Sequence, residues 1–73
     1  MSRTQVVSEM PGSVITIEKA IGDGVDADEA IVIIEAMKME IPIVAPKAGR
    51  LIELHVGAGD QIVEGQPIAV IEG

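Results

Sequence analysis

The chain has 73 residues, with 12 acids against 5 bases, a formal net charge of -7, and no cysteine or aromatic residue. This length allows one domain at most, and without cysteine the chain can form no disulfide and offers no thiol to a metal or to nucleophilic chemistry. A chain this acidic repels phosphate backbones, which argues against nucleic-acid binding, and it has no aromatic platform on which bases or flat cofactors could stack.

No apolar run in the sequence reaches the roughly 20 residues that a membrane-spanning helix needs. The first five residues, Met1 to Gln5, lack the apolar segment of a signal peptide. We therefore expect a cytoplasmic protein with no membrane contact.

The first predicted strand runs from Gly12 to Glu18, where apolar and polar residues partly alternate. A Gly-Asp-Gly turn follows at 22–24, and then a short apolar position at Val25. A longer apolar strand is predicted from Ile31 to Glu35. Residues 26–40 contain many good helix formers, but the β-branched run inside them favours a strand.

The same pattern returns in the second half of the chain. A shift of 37 positions aligns the two halves without a gap and places Gly12 on Gly49. The stretch of the second half that aligns with residues 26–40 contains Gly65 and Pro67, which also argues against a helix. The second half predicts a strand at 49–56, a turn at 57–60, an apolar pair at 62–63 and a strand at 68–72. Prolines are expected on edge strands or at strand starts, and they are Pro42, Pro46 and Pro67.

Two such units predict a small all-β domain, a flattened barrel or sandwich of two sheets related by a pseudo-two-fold axis. We predict a single domain over residues 1–73, with repeat halves at about 12–36 and 49–73 joined by a hairpin that holds Lys38. Under the 37-residue shift the counterpart of Lys38 is Met1. The hairpin should therefore lie at one end of the domain and the chain ends at the other.

The connecting hairpin has the sequence Ala36-Met37-Lys38-Met39. This stretch resembles the attachment sequence of biotinyl domains, the biotin carboxyl carrier modules of the biotin/lipoyl attachment family. The resemblance covers nearly the whole chain, and it implies a flattened barrel of two four-stranded antiparallel sheets. The chain has Ser8-Glu9 where the family often has Ala-Pro. Its gapless repeat leaves no room for the protruding thumb of some acetyl-CoA carboxylase carriers, which implies the thumbless type.

The resemblance implies that Lys38 is the attachment residue for covalent biotin and that the domain has no active site of its own. A biotin protein ligase would join biotin to the lysine nitrogen as an amide. The carrier would then move a carboxyl group from biotin carboxylase to a carboxyltransferase, in an acyl-CoA carboxylase or a related enzyme. The isolated domain should be monomeric. The residues implied in recognition by the ligase or in positioning biotin are Glu35, Ala36, Met37 and Met39.

Other interpretations of these residues stay open. Lys38 can be an ordinary exposed lysine whose charge discourages sheet aggregation, in a chain that serves as an interaction module. Met37 and Met39 can be core filler. The chain can also be a lipoyl carrier, although a lipoyl lysine usually follows Asp and precedes Ala. The acids at 23–29 do not fit the spacing of a calcium loop, and the lone His55 is more typical of a structural residue, so we predict no metal site.

Overall fold

The computed structural model describes residues 2–73. Within this range the chain forms eight β-strands and no helix, so this part contains no helix that could cross a membrane. The strands are β1 Arg3–Val7, β2 Gly12–Ile17, β3 Gly24–Val25, β4 Ala30–Ala36, β5 Met39–Val44, β6 Gly49–Leu54, β7 Gln61–Ile62 and β8 Pro67–Glu72.

The strands form two four-stranded sheets, one in the order β1-β8-β6-β3 and the other in the order β5-β4-β2-β7. All pairings are antiparallel. This confirms the predicted all-β fold. Residues 26–40 contain strand β4 and the start of β5, so the strand interpretation of this stretch was right and the helical one wrong.

The core between the sheets is aliphatic, as a chain without aromatic residues requires. Isoleucine and valine dominate it because β-branched side chains suit strands. Burying a side chain of this size stabilises a fold by about 1.5–3 kcal/mol relative to exposure. The largest fully buried aliphatic side chains are Ile31, Ile34, Leu51, Ile68 and Ile71.

The sequence repeat is also visible in the hydrogen bonds. The N–H of Asp28 donates to the carbonyl of Ala45 at 2.7 Å, and 37 residues later the N–H of Gly65 donates to the carbonyl of Ser8 at 2.7 Å. The halves interleave, because β2 pairs with β4 of its own half and with β7 of the other half. Each sheet is therefore built from both halves.

Strand β1 lies outside the predicted repeat halves, and the sequence pattern does not predict it because its first three residues are polar. It pairs with β8 at the edge of its sheet. The first strands of the two halves end at Ile17 and Leu54, one or two residues earlier than predicted. Pro42 lies on edge strand β5 and Pro67 begins β8, as predicted, whereas Pro46 lies in the bend after β5.

Lys38 lies at one end of the strands, and Ser2 and Gly73 lie at the other, as predicted; Met1 lies outside the described residues. Strand β5 leads away from the Lys38 turn over six residues, which is about 20 Å at the usual strand rise. Strand β6 then begins at Gly49, which lies against the backbone beside Gly73. There the N–H of Ser2 donates to the carbonyl of Gly73 at 3.1 Å, and the N–H of Gly73 donates back at 3.1 Å. Ser2 and Gly73 therefore pair with each other as the two residues at the base of the hairpin do.

Candidate functional site

Lys38 lies on a two-residue turn between β4 and β5. The register pairs Ala36 with Met39 across the turn, so Met37 and Lys38 are its central residues. Both have positive φ, 54° and 66°, which is the backbone form of a type I′ hairpin turn. Asn and Gly are favoured at these positions, and other L-residues in the left-handed region cost about 1–2 kcal/mol each. Met37 and Lys38 occupy these positions although Asn and Gly would be less strained there. This indicates that their side chains have a role other than stabilising the fold.

The side chains of residues 37–39, hereafter the tip, project into solvent. Met37 is 90% exposed and Met39 is 64% exposed. Lys38 between them is exposed as well. Neither methionine fills the core, so the alternative interpretation of these two residues as core filler is wrong.

The amine of Lys38 differs from those of the other two lysines. Lys19 forms an ion pair with Glu29 at 2.9 Å, and Lys47 donates to the hydroxyl of Ser2 at 2.7 Å. Among the described residues no hydrogen bond or ion pair engages the Lys38 amine. A partner molecule can therefore take this nitrogen without first breaking a contact within the chain.

Small residues hold the base of the turn against strand β2. Ala36 is 4% exposed and packs beneath the tip. A Cβ placed on Gly12 would lie 3.4 Å from the Cβ of Ala36 and only 2.6 Å from the backbone oxygen of Glu35. Only glycine lets β2 approach β4 this closely. The tip thus stands on a tightly packed base.

Two acidic side chains lie beside the tip. Glu35 and Glu40 are directly opposite each other on β4 and β5, and both are exposed. Like charges in this position disfavour strand pairing. In the other sheet the counterpart pair is Glu72 with Arg3, which attract each other at 3.5 Å. Glu40 therefore lies beside Glu35 next to the turn, a pairing that the sequence does not show because it depends on the turn register.

Two of the acidic residues at 23–29 serve local structure. A carboxylate oxygen of Asp23 accepts from the N–H of Ala20 at 2.9 Å, and one of Glu29 accepts from the N–H of Asp26 at 2.9 Å. The hydrogen bond from Lys19 lowers the pKa of Glu29 below its usual value, and the same bond raises the pKa of Lys19. Among residues 2–73 no group of three or more His, Cys, Asp or Glu side chains could hold a metal ion.

An apolar groove of about 330 Å³ opens beside the edge strands β1 and β5. Val7 and Val44 line it, and these two residues align under the 37-residue shift. The sequence does not indicate the groove because it does not predict β1. None of residues 35–40 lines this groove, and the Lys38 site is an exposed turn.

Comparison with known protein families shows which family has this fold and turn. The model of the Biotin_lipoyl family, described as "Biotin-requiring enzyme", matches residues 4–71. The chain belongs to the biotin/lipoyl attachment family. The match includes the tip and strands of both sheets, and it confirms the resemblance found in the sequence.

Relatives include both short and very long proteins. The biotinylated protein TB7.3 homolog of Mycobacterium leprae is 39% identical over 66 residues, which cover 90% of this chain and 93% of that protein. A part of Kluyveromyces lactis urea carboxylase is similar with a TM-score of 0.93 at 33% identity, covering 99% of this chain and 6% of that chain. This chain also spans only a small fraction of the first curated relatives that it matches.

The lipoyl domain of the 2-oxoglutarate dehydrogenase complex from Azotobacter vinelandii is similar as well. Its TM-score is 0.72 at 30% identity, covering 86% of this chain and 80% of that domain. A biotinylated protein and a lipoyl domain are thus both among the relatives. The fold therefore does not by itself distinguish biotin from lipoate as the attached group.

Proposed function

We propose that the chain is a biotin carboxyl carrier in which biotin joined to Lys38 carries a carboxyl group from biotin carboxylase to a carboxyltransferase. The observation that supports this most is that Lys38 lies on an exposed turn between two methionines, with an amine that no described residue engages, in a chain of the biotin/lipoyl attachment family. The TB7.3 homolog, which is biotinylated and has almost the same length, supports it further.

The tip fits a covalently attached group. Amide formation requires the lysine nitrogen to enter the active site of a ligase. Lys38 offers that nitrogen at the end of a long exposed side chain, with no hydrogen bond or ion pair to residues 2–73 to break. The hairpin fixes the backbone of the tip, while the Lys38 side chain can extend into the active site of a partner enzyme. Biotin, when attached there, supplies a ring that accepts and releases a carboxyl group. The domain itself would supply no catalytic group.

The position of the tip suits delivery between two partner enzymes. Ser2 and Gly73 lie at the opposite end of the strands from Lys38, so any sequence that continues from either end leaves the domain away from the tip. A short flexible tether raises the effective concentration of a module at its partner site to about millimolar. The partners in this proposal are a biotin protein ligase, biotin carboxylase and a carboxyltransferase.

The two methionines favour biotin over lipoate as the attached group. Met37 and Met39 present exposed, flexible thioether side chains on both sides of the lysine, a surface suited to adaptable binding. A lipoyl lysine is usually preceded by Asp and followed by Ala. We infer that the double substitution Met37→Asp with Met39→Ala shifts acceptance from the biotin ligase to a lipoate ligase, and unchanged ligase preference would contradict this role.

The attachment is tested by expressing the chain with an active biotin protein ligase and measuring its intact mass, followed by peptide mapping. We expect one biotin-sized increment on Lys38. Lys38→Arg should abolish the increment, while the matched controls Lys19→Arg and Lys47→Arg should keep it, because those amines are engaged within the chain. No increment on the folded chain, with the ligase active on a control substrate, would refute the proposal.

The same experiment separates the alternative functions. A lipoyl-sized increment on Lys38 with a lipoate ligase, and none with the biotin ligase, would make the chain a lipoyl carrier. An interaction module predicts that Lys38→Arg leaves cellular function intact. The carrier role itself is tested by offering the biotinylated chain to biotin carboxylase with ATP and labelled bicarbonate, where label on the chain is the expected result.

A further inference from the structure

We propose that the tip contains a second modification site. Peroxide-class oxidants convert the thioethers of Met37 and Met39 to sulfoxides, and the sulfoxides slow the attachment of biotin at Lys38. The consequence for attachment rests on the proposed function, whereas the oxidation chemistry rests on the exposure of the two sulfur side chains alone.

Among residues 2–73, Met37 and Met39 are the side chains that an oxidant should reach first. The chain contains no Cys, Trp or Tyr, so no thiol or aromatic ring competes for the oxidant or covers the sulfur atoms. Met37 is 90% exposed and Met39 64% exposed, while Met10 is only partly exposed and packs against the core. Because susceptibility to oxidation follows exposure, we expect Met37 to react fastest, then Met39, and Met10 slowest.

The reaction is a two-electron oxygen transfer. A lone pair of the methionine sulfur attacks one oxygen of hydrogen peroxide, so a sulfur–oxygen bond forms as the oxygen–oxygen bond breaks. The departing hydroxide takes up the proton from the transferred oxygen and leaves as water. Sulfur is oxidised and peroxide is reduced. The product is a polar sulfoxide that methionine sulfoxide reductases can convert back to the thioether. That reduction consumes two thiols of a dithiol reductant, which become a disulfide, and releases the oxygen as water.

The modification should change recognition without changing the fold. Neither methionine belongs to the core or packs against it, so a polar oxygen on either sulfur costs the folded state little. A ligase that surrounds Lys38 meets both side chains, because Met37 shares the two-residue turn with Lys38 and Met39 follows at the start of β5. Losing the burial of one apolar side chain at such a contact corresponds to about a tenfold loss or more, and an unpaired sulfoxide oxygen adds to it.

The test treats the purified chain with hydrogen peroxide, quenches it, and follows oxidation at Met10, Met37 and Met39 by peptide mapping. The thermal midpoint and kcat/KM for biotin protein ligase are then measured on the same samples. We expect oxidation at the tip first, an unchanged thermal midpoint, and a drop in kcat/KM of about tenfold or more. Methionine sulfoxide reductases should restore the rate.

Two variants give matched comparisons. The double variant Met37→Leu with Met39→Leu keeps the apolar size of the tip and should lose its sensitivity to peroxide, judged by the ratio of treated to untreated rates. Met10→Leu should remain as sensitive as the unsubstituted chain. Equal oxidation of Met10 and the tip, an undiminished rate on the oxidised chain, or a rate that the reductases do not restore would each overturn the proposal. Failure of the untreated chain to accept biotin would instead count against the proposed function.

Discussion

Gly12→Ala should loosen the base of the Lys38 turn. The added Cβ would lie 2.6 Å from the backbone oxygen of Glu35, inside the 3.0 Å that real Cβ atoms keep. That carbonyl cannot retreat without disturbing the pairing of β2 with β4, so the strain stays local. Overpacking costs about 1–3 kcal/mol, and alanine offsets about 0.4–1 kcal/mol by restricting the unfolded chain. We expect the free energy of unfolding to fall by about 1–2 kcal/mol, with slower biotin attachment at Lys38.

Two other glycines serve as controls in urea denaturation and in ligase kinetics at a temperature where every variant is folded. Gly49→Ala meets the oxygen of Glu72 at 2.6 Å and a methyl group of Ile71 at 2.7 Å, so it should lose at least as much stability. Because it lies far from the tip, its ligase kinetics should stay normal. Gly24 has open space around it, and Gly24→Ala should be neutral or slightly stabilising. The reasoning fails if Gly12→Ala is as stable as Gly24→Ala, or if Gly49→Ala slows the ligase equally.

Replacing residues 37–38 by Asn-Gly should raise the free energy of unfolding in urea by about 1–2 kcal/mol, because it relieves the left-handed turn residues; an unchanged value would show that the turn is unstrained. Leu51→Ala leaves a cavity at a fully buried position and should lower the free energy of unfolding by about 2–5 kcal/mol. The control Ile21→Ala changes an exposed side chain and should change that free energy by no more than about 0.5 kcal/mol. Thermal melts of the two variants test this difference. Glu29→Gln removes the ion pair with Lys19, and its destabilising effect should fade in acid.

The pH dependence of the Glu29→Gln effect follows from the direction of two pKa shifts. The folded pKa of Glu29 is lowered from 4.5, so its contribution is complete above that value and is lost as pH falls through the lowered folded pKa. The pKa of Lys19 is raised from 10.5, so its contribution is complete below that value and is lost as pH rises through the raised pKa. The substituted glutamine side chain can keep the backbone hydrogen bond, as Gln66 does with the N–H of Val63 at 3.0 Å. A stability difference that stayed constant from about pH 7 to about pH 3 would contradict this account.

The all-β fold could be predicted from the sequence because each stretch of the first half could be compared with its copy in the second half. Residues 26–40 taken alone favour a helix by propensity, but their copy contains Gly65 and Pro67, which a helix would not tolerate. The placement of Lys38 opposite the chain ends followed from the same shift. The interleaving of the halves could not be predicted, because alternation shows which side chains face inward and not which strand becomes the neighbour.

The site could be predicted only in part. Motif and repeat pointed to Lys38, but the positive φ values of the turn and the pairing of Glu35 with Glu40 follow from hairpin geometry that composition does not encode. Ala36 lies beneath the tip because Gly12 admits the close approach of β2. His55 lies at the surface, 3.1 Å from Glu53. The roles of the tip residues, the domain limits, the cytoplasmic location and the monomeric state stay predictions.

The interleaved sheets have a consequence for what the two half-chains can do alone. Strands before the Lys38 turn supply β1 and β3 to one sheet and β2 and β4 to the other, and strands after it supply the remaining members of each. A break in the backbone at the turn would therefore yield two fragments that each lack half of both sheets. Such fragments should be unfolded separately and should reconstitute the barrel only by complementation. The proposed attachment point therefore lies where the polypeptide divides into two four-strand fragments that depend on each other to fold.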